Sequence, residues 1–370
     1  MNEPPREPDA SVAIELSRRK NEGLRTSLVE ARRVAAPYLT MTRIAVAKLG
    51  ASRLARVGAV LLACLALTAI FADLLASDLP VACRWRGVAY VLPNVTRPPA
   101  LAGETCSRMR ATRAAGDWIL EPLVAFGPAQ TGGDGEILVP PLAKGHPLGT
   151  DALGRDLFAR VVHGARTALS VGLGASMLLV AIGVALGALA GFSGGLIDGL
   201  VSRTIEALTA IPTLVLILVV GALVPQPTTA TLLWTIALTR WTELARLVRG
   251  EVLTALAQDY VTAARALGAS PVRVLWRHVL PNAIAPAIVA MAFGVSSVIV
   301  LEAAVDFLRV GSPDSMASWG EAMGEARSHG DAWWLVVFPG FALLTALLAS
   351  SLVGEAARDA LDPRLRTELV

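Results

Sequence analysis

Phosphate chemistry needs a glycine-rich loop ending in a lysine followed by Ser or Thr, because the ammonium reaches the phosphates and the hydroxyl holds the metal. The three lysines, Lys20, Lys48 and Lys144, are followed by Asn21, Leu49 and Gly145. The chain therefore carries no nucleotide loop of this kind, and any ATP it depends on is hydrolysed elsewhere. A zinc helix needs two histidines four residues apart, and His146, His163, His278 and His329 are never so spaced. Cys64, Cys83 and Cys106 offer no CxxC pair. No metal, no bound cofactor and no enzymatic role are expected of this chain. The titratable groups that stand out are instead Glu206, Glu302 and Asp306, which lie in or beside long apolar runs. A charge in hydrocarbon is costly, so each must face a protein interior, a partner or an aqueous path.

The elements that hold these groups follow from composition. Of 370 residues, 54% are apolar and 17% charged, with the apolar ones bunched into runs of about membrane-spanning length. That excludes a soluble enzyme, a disulfide scaffold or a disordered chain. A net charge of +3 is too small for a nucleic-acid footprint. The expected fold is an all-α polytopic membrane protein with six transmembrane helices at 54–75, 168–190, 200–224, 230–248, 284–308 and 333–354. The first run begins too far into the chain for a cleaved leader and is expected to stay as a span. Basic residues gather in the N-terminal tail, 191–206, 240–281 and the C-terminal tail, which the positive-inside rule assigns to the cytoplasm. Both termini are then cytoplasmic.

This divides the chain into a cytoplasmic tail (1–53), the first span (54–75), an extracytoplasmic insertion with its lead-in to the second span (76–167), a five-helix core (168–354) and a cytoplasmic C-terminal tail (355–370). In the tail, Ile14, Leu16, Leu24 and Leu28 form only a partial apolar stripe, read as a solvated face. The insertion is small, irregular and rich in Pro and Gly. Its GVAYVLP and DWILEPLVAF segments read as strands or buried turns. Cys83 and Cys106 both fall there, and either a disulfide, worth about 3 kcal/mol through loop closure, or two free buried thiols would fit.

Gly183, Gly187 and Gly191 strip side chains from one face of the second span, so a helix neighbour is expected there, in this chain or in a second subunit. Pro212, Pro286 and Pro339 interrupt the third, fifth and sixth spans. Each frees a backbone carbonyl that protein, hydroxyl or water must satisfy, as around a cavity or at a static kink. Glu206, Pro212 and Glu302 are the candidate wall of a translocation path, although Glu302 would also serve as a paired carboxylate holding helices together.

The segment 249–282, between the fourth and fifth spans, is far longer than a helix connection needs. Its punctuation predicts a short helix from Asp259 to Leu267, a left-handed turn at Gly268, an N-cap at Ser270 and a second helix opened by Pro271. Ala263 and Ala264 would keep its contact face small, and Tyr260 could anchor it. Such a bent pair suits docking into a groove on a cytoplasmic partner.

TAARALGASPVRVLWRHVLP, within this segment, resembles the EAA loop of type I ABC importer permeases. Thr262, Ala263 and Ala264 take the EAA place, Gly268 the glycine, and Leu280 with Pro281 the ending, while Thr262 replaces Glu and His278 an apolar residue. HPLGTDALGRDLFARVVHGARTALSVG from His146, GFSGGLIDGLVSR, the IPTL around Pro212, AWWLVVFPG from Ala332 and GEAARDALDPRLR from Gly354 are similar to pieces of one branch, the C-type subunit of dipeptide and oligopeptide permeases. The long insertion before His146, with Asp306 and Arg309 where that branch has small residues, departs from its usual pattern and bears on the substrate.

The resemblance implies a type I ABC importer permease in a bacterial inner membrane. A related second permease subunit, two cytoplasmic ATPases holding ATP and Mg, and an extracytoplasmic solute-binding protein would be its partners. ATPase coupling would fall to Tyr260, Thr262, Ala263, Ala264, Gly268, Ala269, Leu280 and Pro281. An ion-coupled secondary transporter using Glu206 or Glu302 as proton carriers is the alternative, and it predicts uptake without ATP.

Overall fold

The computed structural model describes residues 52–224, 228–308 and 317–361. The N-terminal tail, Arg309 and the end of the C-terminal tail lie outside the described residues. Helix α1 (Arg53–Ile70) starts at Ser52, whose Oγ accepts from the Ala55 N–H at 3.3 Å. Its Gly58 lies so close to α9 (Trp334–Leu361) that an added Cβ would sit 2.6 Å from Leu352 Cβ.

Helix α2 (Leu157–Ser193) has 37 residues, so it runs about 55 Å and starts well before the 168 expected from hydropathy. Asp156 explains the early start, because its Oδ1 caps the helix by accepting from the Ala159 N–H at 2.7 Å. Buried Arg160 and Ala165 then place this polar first stretch inside protein.

The third span differs from expectation. Residues 200–224 are two helices, α3 (Gly195–Thr209) and α4 (Thr213–Leu223), bent by 85°. Pro212 carries no N–H and disfavours helical backbone in Ile211, which ends the helix at the preceding turn. The bidentate pair of Arg249 with Asp198, at 2.5 and 2.7 Å, ties α3 to α5 (Thr229–Leu256).

The glycine face of α2 meets α5 within the same chain. A Cβ at Gly183 would lie 2.9 Å from Leu244 Cβ, one at Gly187 2.5 Å from the Ala245 carbonyl oxygen, and one at Gly191 3.0 Å from the Arg249 carbonyl oxygen. Val171, Ala175, Ile236, Val248 and Val298 fill the core where α2 and α5 pack with α7 (Leu280–Phe307). Among the described residues four helices, Arg53–Ile70, Leu157–Ser193, Pro286–Phe307 and Trp334–Asp359, are long and apolar enough to cross a membrane, five if the bent pair counts as one span. At 28 residues α5 has the length as well, but it carries Arg240, Glu243, Arg246, Arg249 and Glu251.

Between α1 and α2 a three-stranded antiparallel sheet, order β2-β1-β3, is built from β1 (Ala82–Trp85), β2 (Val88–Val91) and β3 (Trp118–Leu120). Leu79, Cys83, Trp85, Leu101 and Met109 form its core. The disulfide alternative is not realised. Cys83 and Cys106 are free thiols, packed as small apolar groups. Burial, then Glu121 and Asp78, push Cys106 up to about 12, and burial followed by Asp117 raises Cys83.

Candidate functional site

The segment after α5 folds by local rules. Helix α6 (Asp259–Ala266) carries Asp259 in its first turn, where a carboxylate complements the helix dipole. It closes in a Schellman motif, with Gly268 N–H donating to Arg265 O and Ala269 N–H to Ala264 O, both at 3.0 Å. Gly268 has φ +83°, a left-handed conformation that a Cβ would strain.

Ser270 then caps the turn Pro271–Val274 by accepting from the Arg273 N–H at 3.4 Å, with Pro271 at the first position. A π turn, Leu275–Val279, leads directly into α7, the Leu280 N–H reaching back to Leu275 O. Pro281, next in line, has no N–H to offer the regular ladder, which accounts for the wider turn. Sequence reading did not foresee it, although a proline one residue into a helix that continues from an earlier turn is its signal.

Tyr260 faces inward along this segment rather than only outward. Its hydroxyl donates to His278 O at 3.3 Å and accepts from Asn282 Nδ2 at 3.0 Å, while Asn282 Nδ2 also donates to His278 O at 2.8 Å. These bonds fasten α6 to the first turn of α7. Val261, Val274, Val279 and Leu280 bury the underside of the segment against the helix core.

Its outer side is left open. Thr262, Ala263 and Gly268 are exposed, and Ala264 and Ala269 half-buried. Leu267, Val272 and Trp276 are 89%, 67% and 65% exposed. Arg265, Arg273 and Arg277 are exposed along the same segment, so among the described residues it presents large apolar side chains interspersed with cations. Thus the residues named for coupling share one rigid elbow, some holding it and others presenting its face.

The path residues do not come together in this way. Glu206 is exposed and pairs with Arg203 at 2.8 Å, and Pro212 makes the bend above it. Glu302 is buried on α7, accepting from Ser318 Oγ at 3.3 Å and interacting with Asp306.

At the same end of the molecule, sequence reading missed a buried ion cluster. Arg155 donates to Asp151 and Glu325, each at 2.6 Å, and approaches Glu321 at 3.3 Å. Arg160 bonds Asp151 at 3.1 Å, and its Nη2 lies 2.8 Å from Glu321 Oε2 as an ion pair. The cluster joins the lead-in of α2 to α8 (Trp319–Glu325). Burial, then Asp151, holds the Glu325 carboxyl above its ordinary range.

The signal was the Glu321 and Glu325 spacing of four on one face of WGEAMGE, facing the two arginines of GRDLFAR. His146 Nδ1 and Asp156 Oδ2, 2.7 Å apart and buried, form a second pair there, and burial raises Asp156. Also missed were Arg240 and Glu243, near the midpoint of α5.

Long apolar helices packed together, with a short bent helical segment between two of them, define the class as a polytopic membrane protein. Residues 183–367, half of the chain, match the family described as "Binding-protein-dependent transport system inner membrane component". The chain belongs to that family, a multi-pass inner-membrane permease family whose members are transport subunits and not enzymes.

It is 40% identical over 220 residues to the di/tripeptide transport system permease protein DppC of Pseudomonas aeruginosa, covering 59% of this chain and 72% of that one. With the dipeptide transport system permease protein DppC of Haemophilus influenzae it shares 35% over 255 residues, 67% of this chain and 86% of that one. With the oligopeptide transport system permease protein OppC of Bacillus subtilis it shares 34% over 227 residues, 61% and 74% of the two chains.

Proposed function

We propose that the chain is the C-type permease subunit of an ATP-driven importer of dipeptides or oligopeptides. The relatives named for peptide transport supply the substrate class, and the elbow at 257–281 carries the mechanism. In this reading α5 is the fourth of six crossings, both termini are cytoplasmic, and 76–167 stands outside. A second permease subunit completes the pore, and a solute-binding protein delivers the peptide.

Two ATPase subunits, which hold ATP and Mg, receive the apolar face of Leu267, Val272 and Trp276 in a groove. Their closure would push an elbow that cannot flex internally, because the Schellman bonds and the Tyr260–Asn282 contacts fix α6 to α7. The push therefore moves α7 and its neighbours and exchanges outward for inward access. No bond is made or broken by this subunit.

Uptake of a labelled dipeptide by the reconstituted complex is the test, with and without ATP. Uptake that needs ATP, the binding protein and both permeases supports the reading. Uptake by this chain alone, driven by a proton gradient, would refute it and favour the ion-coupled alternative.

A further inference from the structure

The cavity between α2, α5 and α7 is about 190 Å³ and is lined by Leu179, Leu247, Gly294 and Val298 together with Arg240 and Glu243. Its walls are apolar except for that pair. Arg240 Nη2 bonds Glu243 Oε2 at 3.1 Å, and Arg240 Nη1 donates to Ser297 Oγ on α7. The two charges sit near the midpoint of a 28-residue helix, where hydrocarbon would be the surroundings on any face turned to lipid.

Glu243 is nonetheless 69% exposed in this chain and Arg240 21%. A carboxylate so exposed at that depth must look onto water or another polar surface. Its bond to Arg240 is an i,i+3 contact at 3.1 Å whose carboxylate side is open, so an incoming charged group can reach it.

We propose that Arg240 and Glu243 form a stepping site for the charged termini of a peptide in transit, Arg240 holding the α-carboxylate and Glu243 the α-ammonium. The inference rests on the peptide reading above. A zwitterion crossing the membrane must shed water from both ends, and an apolar hole would not offset that. Here the terminus that arrives meets a group of opposite charge, and one new ion pair replaces the internal one as it opens. The cavity is smaller than the roughly 300 Å³ or more of an ordinary ligand site, so it takes one end of the peptide at a time and leaves the side chains unread. Gly294 lines the cavity, and a Cβ there would meet nothing within 4 Å among the described residues, so a longer side chain has room to enter it.

The test uses the reconstituted complex with saturating peptide-loaded binding protein and measures dipeptide taken up per ATP hydrolysed. Arg240→Gln and Glu243→Gln should each lower that ratio by roughly tenfold, the loss of one charge-assisted hydrogen bond. Gly294→Leu, which puts an apolar side chain into the cavity and leaves both charged residues in the chain, should lower it too. The second permease should co-purify with all three at wild-type yield.

Wild-type ratios in both charge variants would overturn the inference while leaving the peptide reading intact. Loss of the second permease from Arg240→Gln or Glu243→Gln would place the pair in the subunit interface and overturn it as well. A wild-type complex that carries no peptide would remove the underlying reading and this site with it. Independently, Glu243→Cys in a Cys64→Ser background should react with a membrane-impermeant maleimide and be protected by loaded binding protein. No labelling in any nucleotide state would refute an aqueous path at this point.

Discussion

Replacing Gly187 by alanine tests the packing on which the bundle depends. The new methyl would stand 2.5 Å from the Ala245 carbonyl oxygen and 3.0 Å from Val248 Cβ, where ordinary contact begins at 3.4 Å. The first of these is backbone, so no side chain can turn aside, and α2 and α5 must separate by most of the missing 0.9 Å. Over-packing of this kind costs about 1–3 kcal/mol, and the rigid contact points to the upper end. Alanine returns about 1 kcal/mol through its helix propensity, which leaves a net loss of roughly 2 kcal/mol.

Gly250, on the same helix pair but with nothing within 4 Å of its Cβ position, is the control. There alanine should gain up to about 1 kcal/mol. Thermal denaturation of the detergent-purified complex, followed by size-exclusion chromatography, should rank Gly187→Ala below wild type and Gly250→Ala at or above it. Equal melting points would refute the intrachain contact, and a Gly187→Ala variant that melts normally but sheds its partner subunit would assign the glycine face to the other chain.

Other outcomes follow from the elbow and the insertion. Gly268→Pro cannot adopt φ +83° and loses the bond to Arg265 O, so it should insert in the membrane yet abolish transport and substrate-stimulated ATP hydrolysis, whereas Gly268→Ala, strained by about 1–2 kcal/mol, should retain part of both. Arg155→Met leaves Arg160 alone among Asp151, Glu321 and Glu325, a broken buried pair worth roughly 3–5 kcal/mol; the melting point should fall and recover in part when Glu325→Gln is added. Cys106, raised from 9.0 to about 12 in the folded chain, contributes stability that is complete below pH 9 and lost as pH rises toward 12. Native protein at pH 8 should therefore resist alkylation at Cys106, and the denatured chain should titrate with three free thiols.

The helix, turn and cap of the elbow were legible because their information is local: Gly268, Ser270 and Pro271 each dictate a backbone conformation without reference to distant contacts. Runs of apolar residues made four long helices legible, but α2 starts at Leu157 and not at 168, and residues 200–224 break into two helices. The break at Pro212 was visible as a proline, but its 85° angle is set by what α3 and α4 pack against. The ion cluster was opaque because Arg155 and Glu325 are 170 residues apart, and nothing in GRDLFAR says which carboxylates will answer it. Cys83 and Cys106 share a segment in the sequence, yet pairing depends on where the fold sets their Cβ atoms, which spacing along the chain does not fix.

On the proposed function the elbow docks on an ATPase and moves with it. Leu267, the most exposed apolar residue on its face, offers the direct measurement: Leu267→Cys in a Cys64→Ser background, crosslinked by a short thiol reagent to a single cysteine placed in the groove of the ATPase. A crosslink is expected in intact inner-membrane vesicles, with a yield that changes between the nucleotide-free and ATP-bound states. A crosslink to the extracytoplasmic binding protein instead, or no ATPase crosslink in either state while transport persists, would contradict it.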